Sequence, residues 1–462
     1  HGTTYYLCSD LCQRMFLADP EKYSGRTTGV PPDQTAIVRR IAYFSMEVAV
    51  DPRMPTYSGG LGVLAGDTLR SFADLKIPVV AVSLLYRKGY FDQRLDADGN
   101  QREKPVEWNP TELLRPLPTT VEVPIEGRSV AVQAWQYDVV GITGNTVPLL
   151  LLDTDREGNA PADRALTSWL YGGDEQYRLA QEIILGVGGL RMLQALGYTE
   201  LTRFHMNEGH ASLLALELLR EHRREEAEWD FNEVRSRCVF TTHTPVPAGH
   251  DQFSYELTNR VLGPYLPLDV VQMLSGKDRL NMTLLALNMS TYVNGVAKKH
   301  GVVSQEMFPG YAIDSITNGV HSVTWTCESF QDLYDRSIPG WRTDPFSLRY
   351  TISIPNQGIW DAHSKAKARL LEEVRQRTQQ QLSLDAFTIG FARRATVYKR
   401  ADLIVSAPRE LIDLATKAGP LQIIFAGKAH PKDEPGKDMI RRIVQAAKQL
   451  DPDLTIHYLD NY

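Results

Sequence analysis

The sequence predicts an α/β protein of more than one domain, and three observations carry that prediction. Strand-like apolar runs at 41–45, 79–85, 147–152, 203–206 and 239–242 alternate with segments of helical periodicity. Those helical segments are apolar on one face: Leu179, Ile183, Val187 and Leu190 recur at spacings of four and three, as do Leu213, Leu216 and Leu219. Each can cover one face of a parallel sheet. The third observation is length, because 462 residues leave room for about three domains of ordinary size.

Taken in order, residues 1–25 form a separate small module: a short aromatic strand, a Cys-x-x-x-Cys turn at Cys8 and Cys12, then an amphipathic helical stretch. A Pro/Gly-rich linker covers 26–38. The main α/β domain is expected over 39–384. Within it, 120–141 alternates polar and apolar residues around Glu126-Gly127, the mark of an antiparallel hairpin inserted in the α/β scheme and hanging off the main sheet. A helical stretch at 360–380, rich in Lys, Arg, Glu and Ala, precedes a new strand at 387–391, which starts a second α/β domain at 385. That domain continues through a strand at 421–426, a helix at 439–450 and a strand at 455–459, and is expected to be incomplete at 462. Two such domains commonly enclose a ligand between the carboxyl ends of their strands. The chain starts at His1 without a leader pattern and ends in a hydrophobic stretch at Tyr462, so both ends are expected to be cuts.

Composition narrows the function classes. With 43% hydrophobic and 23% charged residues the chain is globular, which excludes a disordered tail or a collagen-like repeat. Fifty Lys and Arg against 56 Asp and Glu give a net charge of -6, which argues against nucleic acid as a partner; any anion site must be local. The longest apolar stretches, 77–86 and 147–152, fall far short of the roughly 20 residues that span a bilayer, so no membrane partner is expected. Four cysteines, of which only Cys8 and Cys12 are close in sequence, make no disulfide framework and point to a reducing compartment, the cytoplasm.

Chemistry concentrates in a few motifs. Tyr57-Ser58-Gly59-Gly60-Leu61-Gly62 follows the first strand and opens a helix, where glycines let backbone N–H groups approach an anion; the same sequence also suits a tight strand-to-helix turn with no ligand. Arg393, Arg394, Lys399 and Arg400 fall in one short run after the strand that opens the second domain, a placement that suits a phosphate better than a solvated helix face. His205, Asn207, Glu208 and His210 follow one strand and Thr241-Thr242-His243-Thr244-Pro245 ends the next, so their polar groups meet at one sheet edge, where they can hold sugar hydroxyls or position a reacting group. Asn318-Gly319-Val320-His321, after a strand-like stretch at 312–316, adds a polar turn at that edge. Zinc spacing is not found among the histidines, and Cys8 and Cys12 are too few for a structural zinc without other ligands. Cys238 and Cys327 read as buried or incidental thiols.

These motifs together resemble the α-glucan (glycogen or maltodextrin) phosphorylases, particularly the shorter bacterial type. AYFSMEVAV, YSGGLGVLAGD, YGGDEQYRLAQE, HMNEGHASLL, TTHTPVPAGHD, NGVAKKH, TNGVHSVTW and ARRATVYKRADL stand in the family's order from residue 41 onward. The resemblance implies two Rossmann-like domains facing a cleft, a GT-B-type glycosyltransferase architecture. It further implies phosphorolysis: inorganic phosphate cleaves the terminal α-1,4 bond of an α-1,4-glucan and releases glucose 1-phosphate with retention. Pyridoxal phosphate is the implied cofactor, acting through its phosphate.

Residue by residue, the resemblance assigns Arg394 and Lys399 to the substrate phosphate, Arg393 with Gly59 and Gly60 to the cofactor phosphate, and His243 to a place beside the reacting glucose. It assigns Leu61, Asn318, Glu208 and His210 to substrate binding, the last two by position, since the longer relatives carry Asp and His there. The family's cofactor lysine, in a segment like E-A-S-G-T-x-x-M-K, is absent from this sequence, so this stretch of chain is expected to be inactive alone. The resemblance allows for a homo-oligomer. Separately, TYYLCSDLCQRMFLADPEKY resembles the carboxyl half of a YHS domain, which implies a heavy metal at Cys8 and Cys12. Two alternatives stay open at this point: a nucleotide-sugar-dependent glucan synthase, whose Gly-Gly-Leu-Gly turn is similar, and a metal-responsive glycogen-binding protein.

Overall fold

Strands that are apolar on both faces need cover on both faces, which helices on either side of a parallel sheet provide. The computed structural model, which describes residues 38–223, 229–448 and 454–461, has that arrangement. The chain divides into two units, 1–39 and 40–462. The expectations for the module at 1–25, and with it Cys8 and Cys12, lie outside the described residues.

The strands in chain order are β1 (Ile41–Ser45), β2 (Val79–Leu84), β3 (Asp92–Leu95), β4 (Gln101–Lys104), β5 (Arg115–Ile125), β6 (Arg128–Val140), β7 (Thr146–Asp153), β8 (Arg203–Asn207), β9 (Cys238–Thr242), β10 (Gln252–Ser254), β11 (Arg279–Asn281), β12 (Tyr292–Gly295), β13 (Asp314–Ser315), β14 (Phe387–Ala392), β15 (Leu421–Ala426) and β16 (Leu454–Leu459). Nine of them form one sheet in the order β13-β12-β9-β8-β1-β2-β7-β6-β5. It is parallel from β13 to β7.

The hairpin predicted at 120–141 exists as β5 and β6 and turns at Glu126-Gly127. It does not hang off the sheet. β6 pairs antiparallel with β7 from Gln133 to Val140, so the hairpin forms the sheet's edge. The reason lies in its alternation: Val130, Val132 and Ala134 are fully buried and belong to the same core as the central strands.

Alternation along the strands sorts two cores. Tyr43, Val79, Ala81, Leu149 and Leu151 face the helix Gly60–Asp74 through Ala65, Leu69 and Ala73. Phe44, Val80, Val82, Leu150 and Leu152 face the other way, onto Ile183, Val187, Leu190, Leu213 and Leu216. The helix predicted around Leu179 to Leu190 runs as Glu175–Ile183, a π-helical turn at Ile184–Gly188, and Gly189–Ala195.

Close approach explains one glycine on the Gly60–Asp74 helix. A Cβ on Gly66 would stand 1.9 Å from the carbonyl oxygen of Ala49, a backbone atom that cannot swing aside. Gly66→Ala is therefore expected to destabilise the protein by about 1 to 3 kcal/mol, the usual cost of overpacking a tight core. Chemical denaturation checks it; an unchanged midpoint would contradict the packing.

β14, β15 and β16 form a separate three-stranded parallel sheet. Helix Glu434–Ala447 covers one face through Met439 and Ile443, and the long helix Asn356–Thr378 covers the other through Leu371 and Val374. The β3–β4 hairpin ties this sheet to the first. The Gln93 amide donates to Gln101 Oε1 (2.8 Å) and to the Gly427 carbonyl (3.0 Å), while Gln101 donates to the Ala429 carbonyl (2.9 Å) and accepts from the Ala429 N–H (3.0 Å). Lys428 Nζ donates to the Phe91 carbonyl at 2.8 Å, and burial pushes its ammonium down to about 8. These bonds set where the run from Arg393 to Lys399 stands relative to the nine-stranded sheet.

Candidate active site

Parallel strands deliver the residues that follow them to one edge. β1, β8, β9, β12 and β13 are sequential neighbours in the sheet, so Glu47, Asn207, Glu208, His243 and the connection after Gly295 all emerge at its carboxyl edge. The turn with Asn318 is seated there by the Ile316 N–H on the Gly295 carbonyl (2.9 Å) and the Asn318 N–H on the Val296 carbonyl (3.0 Å). Its neighbour His321 bonds Asp74 Oδ2 at 2.9 Å and caps the turn Ser322–Trp325.

Glu208 sits at φ 74, a left-handed conformation unusual for a non-glycine residue. Hydrogen bonds to its buried carboxylate hold it there. Its carboxylate accepts from its neighbour's N–H at Gly209 (3.1 Å), from the His243 N–H (2.9 Å) and from Thr244 Oγ1 (2.9 Å). Burial raises this carboxyl, but the His243 and His210 side chains and the His243 N–H outweigh it and leave the group below its ordinary range. The His243 ring meets the Asn207 side chain, Nε2 to Oδ1 at 2.6 Å. Behind it, His205 Nε2 meets Thr241 Oγ1 at 2.8 Å, and Thr241 donates to Asn294 Oδ1 at 3.0 Å. Burial drives His205 and His210 down to about 4 and lowers His243 as well, so these imidazoles are neutral at pH 7.

The glycine loop differs from a plain phosphate cradle. Glu47 Oε2 accepts from the N–H groups of Ser58 (2.6 Å) and Gly59 (3.0 Å), and Tyr171 donates to its other oxygen at 2.8 Å. Two of the loop's donors are thus engaged by a carboxylate of this chain. Gly60 and Leu61, in the first turn of the helix Gly60–Asp74, keep N–H groups without an intrahelical acceptor. A Cβ on Gly60 would meet nothing within 4 Å, whereas one on Gly59 would stand 2.5 Å from Arg394 Nη2.

Arg394 reaches this loop from the second sheet, with Nη2 at 3.4 Å from the Ser58 carbonyl and 3.5 Å from its hydroxyl. Arg393 and Lys399 lie on the same connection after β14. The Arg393 backbone continues the β14–β15 pairing through its N–H to Ala426, and Lys399 Nζ stands 5.6 Å over the Tyr398 ring. The run is an irregular connection with a short helical turn at Val397–Lys399, not a solvated helix face.

Sequence reasoning missed the buried group that joins the two clusters. Arg178 donates to Asp251 (2.8 Å) and to Glu182 (3.2 Å) and lies 4.5 Å over the Tyr171 ring, while His210 stands 3.5 Å from Asp251. The path from Arg394 through Ser58, Glu47, Tyr171, Arg178 and Asp251 to His210 is continuous. The signal was available: Glu47 interrupts an apolar strand exit, and Arg178 and Glu182 adjoin the buried Leu179, Ala180 and Ile183 on one helix.

Burial and the neighbouring Asp251 push Glu182 well above the carboxylate range, whereas Arg178 holds Asp251 down at about 2. Glu182 is the proton-bearing partner. A carboxyl whose folded value is raised contributes stability that is complete below its unfolded value and is lost as pH rises toward the folded one. Glu182→Gln removes that loss, so its melting temperature is expected to gain on the wild type by about 2 °C or more between pH 5 and 8. Parallel melting curves across that range would contradict a protonated Glu182.

Among the described residues no group of three His, Cys, Asp or Glu side chains is arranged to hold a metal ion, and no helix is long and apolar enough to cross a membrane. Cys238 is a buried free thiol and Cys327 an exposed one.

Comparison with known proteins agrees with this geometry. A family model described as carbohydrate phosphorylase matches residues 48–152 and 252–462. A maltodextrin phosphorylase of Thermococcus litoralis is 37% identical over 91% of this chain and 55% of its own length. A glycogen phosphorylase of Mycobacterium tuberculosis is 37% identical over 92% of this chain and 56% of its own, and one of Aquifex aeolicus is 32% identical over 91% and 67%. The chain thus spans about half the length of the first two relatives. A nucleotide-sugar-dependent synthase is not favoured, since the matched family and these relatives are phosphorylases. This chain belongs to the carbohydrate phosphorylase family.

Proposed function

We propose that the chain supplies the glucan-facing part of an α-glucan phosphorylase, cleaving terminal α-1,4 bonds of glycogen or maltodextrin with inorganic phosphate and releasing glucose 1-phosphate. The observation that carries this reading is the approach of Arg394, from the second sheet, to Ser58 and Gly59 at the carboxyl edge of the first. A guanidinium beside free first-turn N–H groups suits a phosphate oxygen and leaves His243 and Asn318 on the same edge for sugar hydroxyls. In this reading residues 39–384 make one domain and 385–462 begin the next, and 1–25 form a YHS-like module with a metal at Cys8 and Cys12. In this reading the protein works in the cytoplasm and allows for a homo-oligomer.

The residues present fit pyridoxal phosphate in part. Arg393 and Gly60, with open space above Gly60, suit its phosphate, while the N–H of Gly59, which the resemblance also assigns to it, is held by Glu47; a lysine for its aldehyde is not assigned in this chain. When bound, the cofactor supplies a phosphate that donates and accepts a proton next to the substrate phosphate. Arg394 and Lys399 hold the substrate phosphate, the Glu208 carboxylate fixes the His243 turn, and neutral His243 orients the sugar.

The test is phosphorolysis of maltodextrin by the longest natural form of the protein, followed as glucose 1-phosphate, beside synthesis from nucleotide sugars. Phosphate-dependent release supports the reading. Turnover of a nucleotide sugar without phosphorolysis would overturn it.

A further inference from the structure

The hydrogen bonds around Asn207 leave it a single orientation. Ser45 Oγ donates its one proton to the Glu47 carbonyl at 2.7 Å, so toward Asn207, 3.1 Å away, it accepts. The NH2 end of Asn207 must therefore face Ser45, and its carbonyl oxygen faces His243 Nε2 at 2.6 Å. A carbonyl oxygen cannot donate, so the bond forms only if His243 carries its proton on Nε2. Asn207 is 2% exposed and is locked at the end of β8 between Ser45 of β1 and Thr241 of β9. Among the described residues no protein group is hydrogen-bonded to His243 Nδ1.

We infer that Ser45 and Asn207 form a positioning relay that fixes His243 in its Nε2–H tautomer and presents Nδ1 to the sugar as a hydrogen-bond acceptor. The relay specifies the substrate beyond the phosphorylase reading on which it rests. At that position the sugar must offer a hydroxyl proton, and a fluorine in its place accepts only and is refused. Nothing in the relay moves a proton to the substrate, so Asn207 acts through His243 rather than on the reacting atoms.

Charged and titratable neighbours bear on this tautomer from each packed element. Glu208, on the turn after β8, raises the His243 ring value, and His300, on the helix Lys298–Met307, lowers it. His205 on β8 and His210 past Glu208 are neutral and oppose a charge on His243. Neutral His243, with a defined tautomer, is the state all of them allow at pH 7.

The test is the nitrogen-15 spectrum of histidine-labelled chain at pH 7, with His243 assigned by its loss in His243→Gln. The expected signal is an Nε2–H tautomer in the wild type. An Nδ1–H tautomer there would overturn the relay, without any variant having to fold. Asn207→Asp keeps the acceptor and adds a charge, and is expected to raise the His243 titration midpoint by at least one pH unit while keeping Nε2–H; an unmoved midpoint would count against the contact. Asn207→Leu is expected to mix the tautomers.

In the longest natural form, Asn207→Leu is expected to lower kcat for phosphorolysis at least 30-fold with KM for phosphate within threefold, and Asn207→Asp to recover part of it. A simply structural role would lower the amount of folded enzyme and leave kcat per folded molecule unchanged, which would overturn the inference. Absence of phosphorolysis in the wild type with Nε2–H intact would sink the functional reading and leave the relay standing, so the two failures are distinguishable.

Discussion

Glu208→Ala is expected to cost about 3 to 5 kcal/mol of stability and to remove phosphorolysis, because one buried and two half-buried donors lose a common, buried charged acceptor. Those donors are the N–H groups of Gly209 and His243 and the Thr244 hydroxyl, and none has another acceptor in its bond to this turn. Alanine would also inherit a left-handed backbone at φ 74 with only the Glu208 N–H bond to the Thr241 carbonyl (2.8 Å) left to hold it. The His243 backbone is then released from the strand end, and the ring that meets Asn207 goes with it. Glu208→Gln retains one carbonyl acceptor and is expected to lose less. Since the Glu208 carboxyl lies below its ordinary range when folded, its contribution is complete above the unfolded value and disappears as pH falls through the folded one. The gap between wild type and Glu208→Ala in urea denaturation should therefore narrow below about pH 4. A gap that is constant down to pH 3 would show that the carboxylate charge is not what holds the turn.

The parts of this site that could be read from the sequence are those that local pattern dictates. Apolar runs such as Val79 to Leu84 are buried at every position, so they announce a sheet covered on both faces. Polar residues directly after such runs, as at Asn207, Glu208 and His243, then have to share an edge. What escaped depends on contacts that sequence order hides. Ser58 and Arg394 lie 336 residues apart and meet only because the β3–β4 hairpin fixes the second sheet against the first. The engagement of the loop's donors by Glu47 was hidden for a related reason. A glycine-rich turn reads as an anion cradle, and nothing local says that the anion is a carboxylate of the same chain. The strand expected at 312–316 shrank to Asp314–Ser315, where the Asp314 carboxylate accepts the Ser315 N–H and, among the described residues, the strand pairs with β12 alone. The hairpin at 120–141 was recognisable by its alternation, and the same alternation, which puts Val130, Val132 and Ala134 into the main core, sets β6 against β7 at the sheet's edge.

Arg394→Ala in the longest natural form is expected to reduce phosphate-dependent turnover by about 10²- to 10³-fold, the loss usual for one preorganised charge donor at a developing charge. The fold should tolerate the change, because among the described residues the hydrogen bonds of Arg394 are the long ones to Ser58, at 3.4 and 3.5 Å. A stability unchanged within about 0.5 kcal/mol is the control, as for substitutions that break no buried contact. Gly59 supplies the decisive comparison. Its missing Cβ would stand 2.5 Å from Arg394 Nη2, so Gly59→Ala displaces the guanidinium without removing it. The backbone at Gly59, φ -164, is extended and open to alanine, so the effect reports the contact and not strain. If Arg394 works from this place, Gly59→Ala should cost turnover in the wild type and almost nothing in the Arg394→Ala background, a non-additivity that marks two residues acting through one contact. Additive losses would place the working position of Arg394 away from the glycine loop, and with it the phosphate that the loop and the second sheet are proposed to share.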